Sequence, residues 1–220
     1  VVHEAVSARA DMLITHHPLF LSGVTSVAAG TVRGKVVHEL IRAGIALASA
    51  HTNADNASPG VSDALAAALG LVDCIPVSPL ANDREGLGRV GDLPAPMSLA
   101  DFAELVARVL PGTEHGVRVA GDATALVSRV AVCGGSGDSL LSGASEAGAD
   151  VYVTSDLKHH RTQDHLLAGG CAIVDVAHWA SEWPWLQELA QVLRTGLVGT
   201  TVEVSRLVTD PWTAHLRSLP

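Results

Sequence analysis

Five apolar runs of strand length, each followed by a polar turn and then a helical stretch, constrain this fold more than any other feature. They are Asp11 to Thr15, Ile45 to Ala50, Arg129 to Cys133, Asp150 to Thr154 and Cys171 to Val176. Strands that alternate with helices build α/β domains with largely parallel sheets. The intervening helices carry their own signals. Arg33 to Ala43 places Val36, Val37, Leu40 and Ile41 inward and stops at Gly44. Ser62 is expected to cap a helix with Ala64, Leu65, Ala68 and Leu69, stopped by Gly70. Ser98-Leu99-Ala100-Asp101 reads as a capping box before Phe102, Leu105, Val106 and Val109. Pro184 suits a first helical turn, so a last helix is expected from near Ser181, with Leu186, Leu189, Val192 and Leu193 inward.

The remaining segments are shorter or irregular. Asn53 to Gly60 reads as loop, Val117 to Ala120 as an exposed strand, and the alternating Thr201 to Val208 as a last strand. The chain opens on a short helical face, Val1 to Ala10, with no strand before it; doubly wound folds open on a strand, so an upstream βα piece is expected. The fold class is α/β, with a two-lobed, three-layer-like architecture and largely parallel or mixed sheets. The lobes are expected at residues 1–75 and 129–220, with a mixed connecting region at 76–128. In open α/β sheets ligands bind beyond the carboxyl ends of strands. The site is expected between the lobes, at those ends.

Composition narrows the function. Hydrophobic residues make up 48% and charged residues 17%, so there is ample core, and with aromatics at 3% that core is aliphatic. The net charge of −9 repels a phosphate backbone and argues against nucleic acid as the main partner. No run approaches the roughly 18 apolar residues of a membrane helix, so no membrane partner is expected. Cys74, Cys133 and Cys171 are scattered, with no CxxC, as expected of buried thiols in a reducing cytoplasm.

Histidine is the unusual residue, at 11. His3, His38, His115 and His215 are scattered and expected in solvent. The others gather in or beside four stretches: Thr15-His16-His17-Pro18, His51 to Asp55, Asp156 to His165, and His178 to Glu182. His16, His17, His51, Asp156 and His178 all fall at strand ends. His178 and Glu182, spaced i and i+4, would share a face if helical, and converge on an ion even if His178 precedes the helix. Asp55 adds a carboxylate. Imidazole nitrogens with carboxylate oxygens and no thiolate suit zinc, iron, manganese or cobalt. A carboxylate can bridge two ions, which favours a two-metal site.

Several stretches together resemble one family. They are Thr15 to Phe20, His51 to Asp55, Pro59 to Leu65, Gly86 to Gly91, Ser155 to Lys158 and His178 to Glu182. In this order they are similar to the Nif-three-like proteins, which carry the name GTP cyclohydrolase 1 type 2. The resemblance implies a dinuclear centre with two divalent ions per chain (Zn, Fe, Mn or Co) and a homohexamer. The implied ligands are His16 and Asp55 for one ion, His17 and His178 for the other, and Glu182 between them. His51 is expected to orient a ligand from behind. Where the family has an aromatic residue, this chain has His159, while His160 matches the family histidine.

The activity implied is hydrolysis of a small nucleotide-like substrate, with attack on the guanine imidazole ring of GTP. Lys158 and His160 are the expected catalytic groups, and Gly134, Gly135 and Ser136 the expected substrate contacts, through backbone N–H groups that cradle phosphate. A regulatory or scaffold protein that binds protein partners is the alternative from another class. Phosphoester hydrolysis at the same metals is a third.

Overall fold

The computed structural model describes residues 1–216, which divide into two compact units, Val1–Ala54 and Asp55 onward. The first unit holds α1 (Val2–Ala8), β1 (Met12–Thr15), α2 (Val32–Ala43) and β2 (Ala46–Ser49). β1 and β2 run parallel, with Met12 opposite Ala46 and Thr15 opposite Ser49. Ala5, Leu40 and Ile45 form the buried centre, with Val2, Leu13 and Val36 packed on it. The Thr31 hydroxyl accepts from the Gly34 N–H to start α2, and Gly44 ends it in the left-handed conformation at φ 68°. Two expectations change here. Ile41 faces solvent, and β2, expected to be buried, is exposed along its length, because β1 is its only strand neighbour among the described residues.

α3 (Thr52–Asn56) crosses the boundary between the units. The second unit continues with α4 (Val61–Ala68), β3 (Val72–Ile75), β4 (Ser78–Pro79), β5 (Gly86–Leu87), β6 (Arg89–Ser98) and α5 (Leu99–Val109). Then come β7 (Val117–Ala120), β8 (Leu126–Ser136), a 3₁₀ turn at Asp138–Leu140, α6 (Leu141–Glu146), β9 (Val151–Ser155), α7 (His159–Leu167), β10 (Ala172–Val176) and α8 (His178–Gly196). Six strands form one sheet in the order β3-β6-β8-β9-β10-β7. The pairs β8–β9 and β9–β10 are parallel; β3–β6, β6–β8 and β10–β7 are antiparallel. The architecture is thus mixed α/β. Residues 76–128, read as connecting, supply β6 and β7 to this sheet, and β3 lies in it as well.

The central strands read as unbroken apolar runs because both faces are covered. Val130, Val132, Val151, Val153, Val174 and Val176 point to one side, against Leu65 of α4, Leu69 just after it, and Leu99, Phe102 and Val106 of α5. Ala131, Cys133, Tyr152 and Ile173, the alternating set, point to the other, against Leu140, Leu141 and Ala144. Arg89, 1% exposed, staples the loops at one end of the sheet. It grips Asp63 through Nε and Nη2 at 2.6 and 2.7 Å and donates to the carbonyls of Gly86, Gly88 and Ala57. Asp63 in turn accepts from the Gly60 N–H at 2.8 Å.

Several boundaries differ from the sequence reading. α3 overlaps the stretch from Asn53 to Gly60 that reads as loop, and α4 begins at Val61 after Gly60, so Ser62 lies inside the helix instead of capping it. Ser98 does cap α5, accepting from the Asp101 N–H at 3.1 Å. α8 starts at His178, not Ser181, and Pro184 sits within it. The Ser181 N–H bonds to the Ala177 carbonyl at 3.1 Å and its hydroxyl to the His178 carbonyl at 2.7 Å, which closes a first turn ahead of the proline. Val192, expected inward on α8, is exposed. Thr201 to Val208 forms no strand. It lies along α8, where Arg194 Nη2 donates to the Val202 carbonyl at 2.7 Å and Trp183 Nε1 to that of Ser205 at 3.4 Å.

Candidate metal centre

Two groups of ligand-type side chains form, one in each unit. In the first unit, His16 and His17 follow β1, and His51 follows the parallel β2. Parallel neighbours bring their carboxyl ends together, so the three rings meet with centroids 5.0 to 5.3 Å apart. Each ring offers one nitrogen, and the three nitrogens lie within 4.8 Å of one another, a grouping able to hold a metal ion. The Nδ1 of the buried His16 is 2.7 Å from the Ala50 carbonyl. A carbonyl accepts only, so this contact fixes the proton on Nδ1 and leaves Nε2 as a ligand. The Thr15 hydroxyl donates to the His17 carbonyl at 2.9 Å and holds the turn after the strand. His51, read as an orienting residue, stands with the other two as a candidate ligand.

In the second unit the group is built on the first turn of α8. His178 Nε2 lies 2.9 Å from Glu182 Oε1, and His178 Nδ1 lies 2.6 Å from Asp156 Oδ2. Burial acts to lower the pKa of His178. The hydrogen bond and charge of Glu182, and then those of Asp156, outweigh it and push the pKa up to about 9. A site that draws a proton onto an imidazole between two carboxylates is one that attracts a cation. The donor chemistry fits a metal: Asp156 occupies Nδ1, which turns Nε2 toward Glu182 as an available ligand, the usual carboxylate–histidine–metal arrangement. Asp55, on α3, is half-buried; its charge and that of Glu182 both bear on the buried Cys133 thiol.

The glycine stretch contributes differently from its sequence reading. Gly134, Gly135 and Ser136 end β8 instead of forming a loop. The Gly135 N–H donates to Ser181 Oγ at 2.8 Å and that of Gly134 reaches Ser62 Oγ at 3.4 Å, so neither is turned to a phosphate. Gly135 has φ 69°, and a Cβ there would overlap Glu182 Oε1 and crowd His178 Nε2. Glycine is required because the ligand pair passes against bare backbone. Lys158 and His160 are exposed at the start of α7 and are not drawn into the His178–Glu182–Asp156 group among the described residues.

Two residues take roles that the sequence does not reveal. Asp156 reads in the sequence as a strand-end residue of the stretch Ser155 to Lys158, and its left-handed φ of 59° appears only in the fold. His115, expected in solvent, bonds to the buried Asp175 at 3.0 Å. Trp179 and Trp183 pack on each other with centroids 6.4 Å apart, and Trp185 is buried.

A family model described as Duf34/NIF3 (NGG1p interacting factor 3) matches residues 1–211. The chain belongs to the DUF34/NIF3 family. Among its relatives is a GTP cyclohydrolase 1 type 2 homolog of Streptomyces coelicolor, 50% identical over 226 residues, covering all of this chain and 79% of the relative. The Mycobacterium tuberculosis protein of the same name is 36% identical, with 93% of this chain and 82% of the relative covered. Among solved structures, a Bacillus cereus protein related to NIF3 superposes with TM-score 0.87 at 25% identity, over 96% of this chain and 85% of the other. A Staphylococcus aureus hypothetical protein superposes with TM-score 0.88 at 28% identity, over 98% and 83%. The NIF3 assignment agrees with the mixed α/β fold. No helix among the described residues is long and apolar enough to cross a membrane.

Proposed function

We propose that this NIF3-family chain is a metal-dependent hydrolase of the GTP cyclohydrolase 1 type 2 kind, opening the guanine imidazole ring of GTP or acting on a related nucleotide. Its two divalent ions would be held by His16, His17, Asp55, His178 and Glu182. The observation that carries this reading is His178, with Nδ1 taken by Asp156 and Nε2 facing Glu182 at 2.9 Å. The names of the Streptomyces and Mycobacterium relatives point to the substrate.

Bound ions of this class polarise the bond under attack and bring a water's pKa toward neutrality. The chain's own residues do the rest. Asp156 fixes the proton of His178, and Glu182 would give its carboxylate to the ions. Gly135 leaves room for both side chains. His51 joins or orients the histidine set of the first unit. Lys158 would bring a positive charge to the substrate's phosphates, and His160 would exchange protons with the substrate.

The test is formate release from GTP by protein reconstituted separately with Zn²⁺, Fe²⁺, Mn²⁺ and Co²⁺. At least one metal should support turnover, and Glu182→Gln should lower it by about 100-fold or more. No formate with any metal, or equal turnover in the variant, contradicts the proposal. Phosphate release without formate points to phosphoester hydrolysis instead.

The words "interacting factor" in the family description favour a second reading, a regulatory or scaffold protein with protein partners. Partner binding that survives replacement of both His178 and Glu182 separates it from the enzyme. The homohexamer belongs to the same proposal, with a solution mass of six chains as its test.

A further inference from the structure

Asp175 is a carboxylate that the proposed mechanism does not use, yet it is 4% exposed on the central strand β10. A carboxylate is costly to bury unless its oxygens are bonded. Oδ1 accepts from Arg118 Nη2 at 2.8 Å and Nε at 3.3 Å, and lies 3.0 Å from His115 Nε2. Both partners come from the edge of the sheet around β7. Oδ2 is turned the other way and accepts from the Leu157 N–H at 3.0 Å. Leu157 directly follows Asp156, whose φ of 59° is uncommon for a side-chain-bearing residue. That backbone twist sends the Asp156 carboxylate to His178 Nδ1 at 2.6 Å.

We infer that Asp175 is a positioning residue: clamped by Arg118 and His115, it holds the Leu157 N–H and thereby fixes the turn that aims Asp156 at His178. The inference rests on the metal reading only for its consequence, since the coupling exists in the protein without metal. The chain of contacts runs from an exposed arginine on the sheet edge, through the sheet, to the ring whose other nitrogen faces Glu182. An apolar residue in place of Asp175 would leave the Leu157 N–H without its acceptor and release the turn to a commoner backbone conformation. An asparagine has a single acceptor oxygen, so it cannot serve Leu157 and the Arg118–His115 pair together.

The test compares wild type, Asp175→Asn, Asp156→Gly and the double variant. Glycine is chosen at 156 because it keeps the left-handed backbone while removing the carboxylate. The first readout is the ¹⁵N signal of His178 Nδ1 in metal-free protein at one fixed pH. The second is Zn²⁺ affinity by competition with a coloured chelator. Asp175→Asn should shift the Nδ1 signal in the same direction as Asp156→Gly and weaken Zn²⁺ by about 10-fold or more. The double variant should be no worse than Asp156→Gly alone. An unchanged signal in Asp175→Asn, or losses that simply add, would overturn the inference, because a structural role would cost stability without touching the His178 ring. If Asp175→Asn does not fold, Arg118→Ala, at a half-exposed side chain, replaces it, with the same shift expected and its absence overturning the inference. A wild type that binds no Zn²⁺ but shows the coupled shifts would defeat the metal reading and leave the positioning role standing.

Discussion

His178 and Glu182 stand one turn apart on α8, with Nε2 and Oε1 2.9 Å from each other. The pair depends on the helix beginning at His178, because only a helical first turn sets residues i and i+4 side by side. Replacing His178 with alanine should remove both the ring and the partner of Asp156. The expected outcome is loss of bound metal, with the far-ultraviolet circular dichroism spectrum unchanged. Metal retained at the wild-type level would remove His178 from the ligand set.

Gly135→Ala tests the close approach of that pair to β8. The added carbon overlaps Glu182 Oε1, and φ 69° is unfavourable for alanine. Gly169→Ala is the control, with φ 79° but nothing within 4 Å. The control should cost only the backbone strain, about 1–2 kcal/mol. Gly135→Ala should cost more in urea denaturation and also lower metal affinity. Equal costs, with affinity intact, would show that Glu182 can move aside.

Arg89 and Asp63 form an ion pair in the second unit, with the Arg89 side chain at 1% exposure and that of Asp63 at 24%. Removing one partner leaves the other charged group without its mate and orphans several carbonyls. Arg89→Ala should therefore destabilise by about 3–5 kcal/mol, read as a fall in the urea midpoint. Asp63→Ala should be comparable, and the double variant far less than additive.

Cys133 provides a pH test. Burial pushes its thiol up to about 11, with Asp55 and Glu182 adding to the effect through their charges. The folded protein therefore holds this proton more tightly than the unfolded chain. The associated stability is complete below the ordinary thiol value of 9.0 and is lost as pH rises from there through 11. Native protein at pH 8 should resist alkylation at Cys133, and urea should expose it. Cys133→Ser should flatten the loss of stability between these pH values.

Much of the fold was legible because the central strands are covered on both faces. Apolar runs such as Val130 to Cys133 then stand out without alternation, and their polar ends mark the ligand-bearing turns. The histidines after β1 and β2 were readable for the same reason. What the sequence hid was local geometry. Pro184 suggested a later helix start, because the Ser181 hydroxyl bond that closes the first turn of α8 leaves no trace in composition. Asp156 reads in the sequence as a strand-end residue, but its left-handed backbone and its bond to His178 appear only in the fold. The glycines at 134 and 135 carry the pattern of a phosphate cradle, yet their N–H groups are spent on Ser62 and Ser181. The alternation in Thr201 to Val208 matches a strand, but the carbonyls of Val202 and Ser205 bond to Arg194 and Trp183 of α8 instead.

The most direct measurement is the metal content of the purified protein, by elemental analysis, in wild type and His178→Ala after reconstitution with each candidate ion. About two ions per chain in wild type, falling sharply in the variant, is the expected result for a two-metal centre. No metal in wild type under any reconstitution, or the same content in both proteins, would contradict a metal centre built on His178 and Glu182.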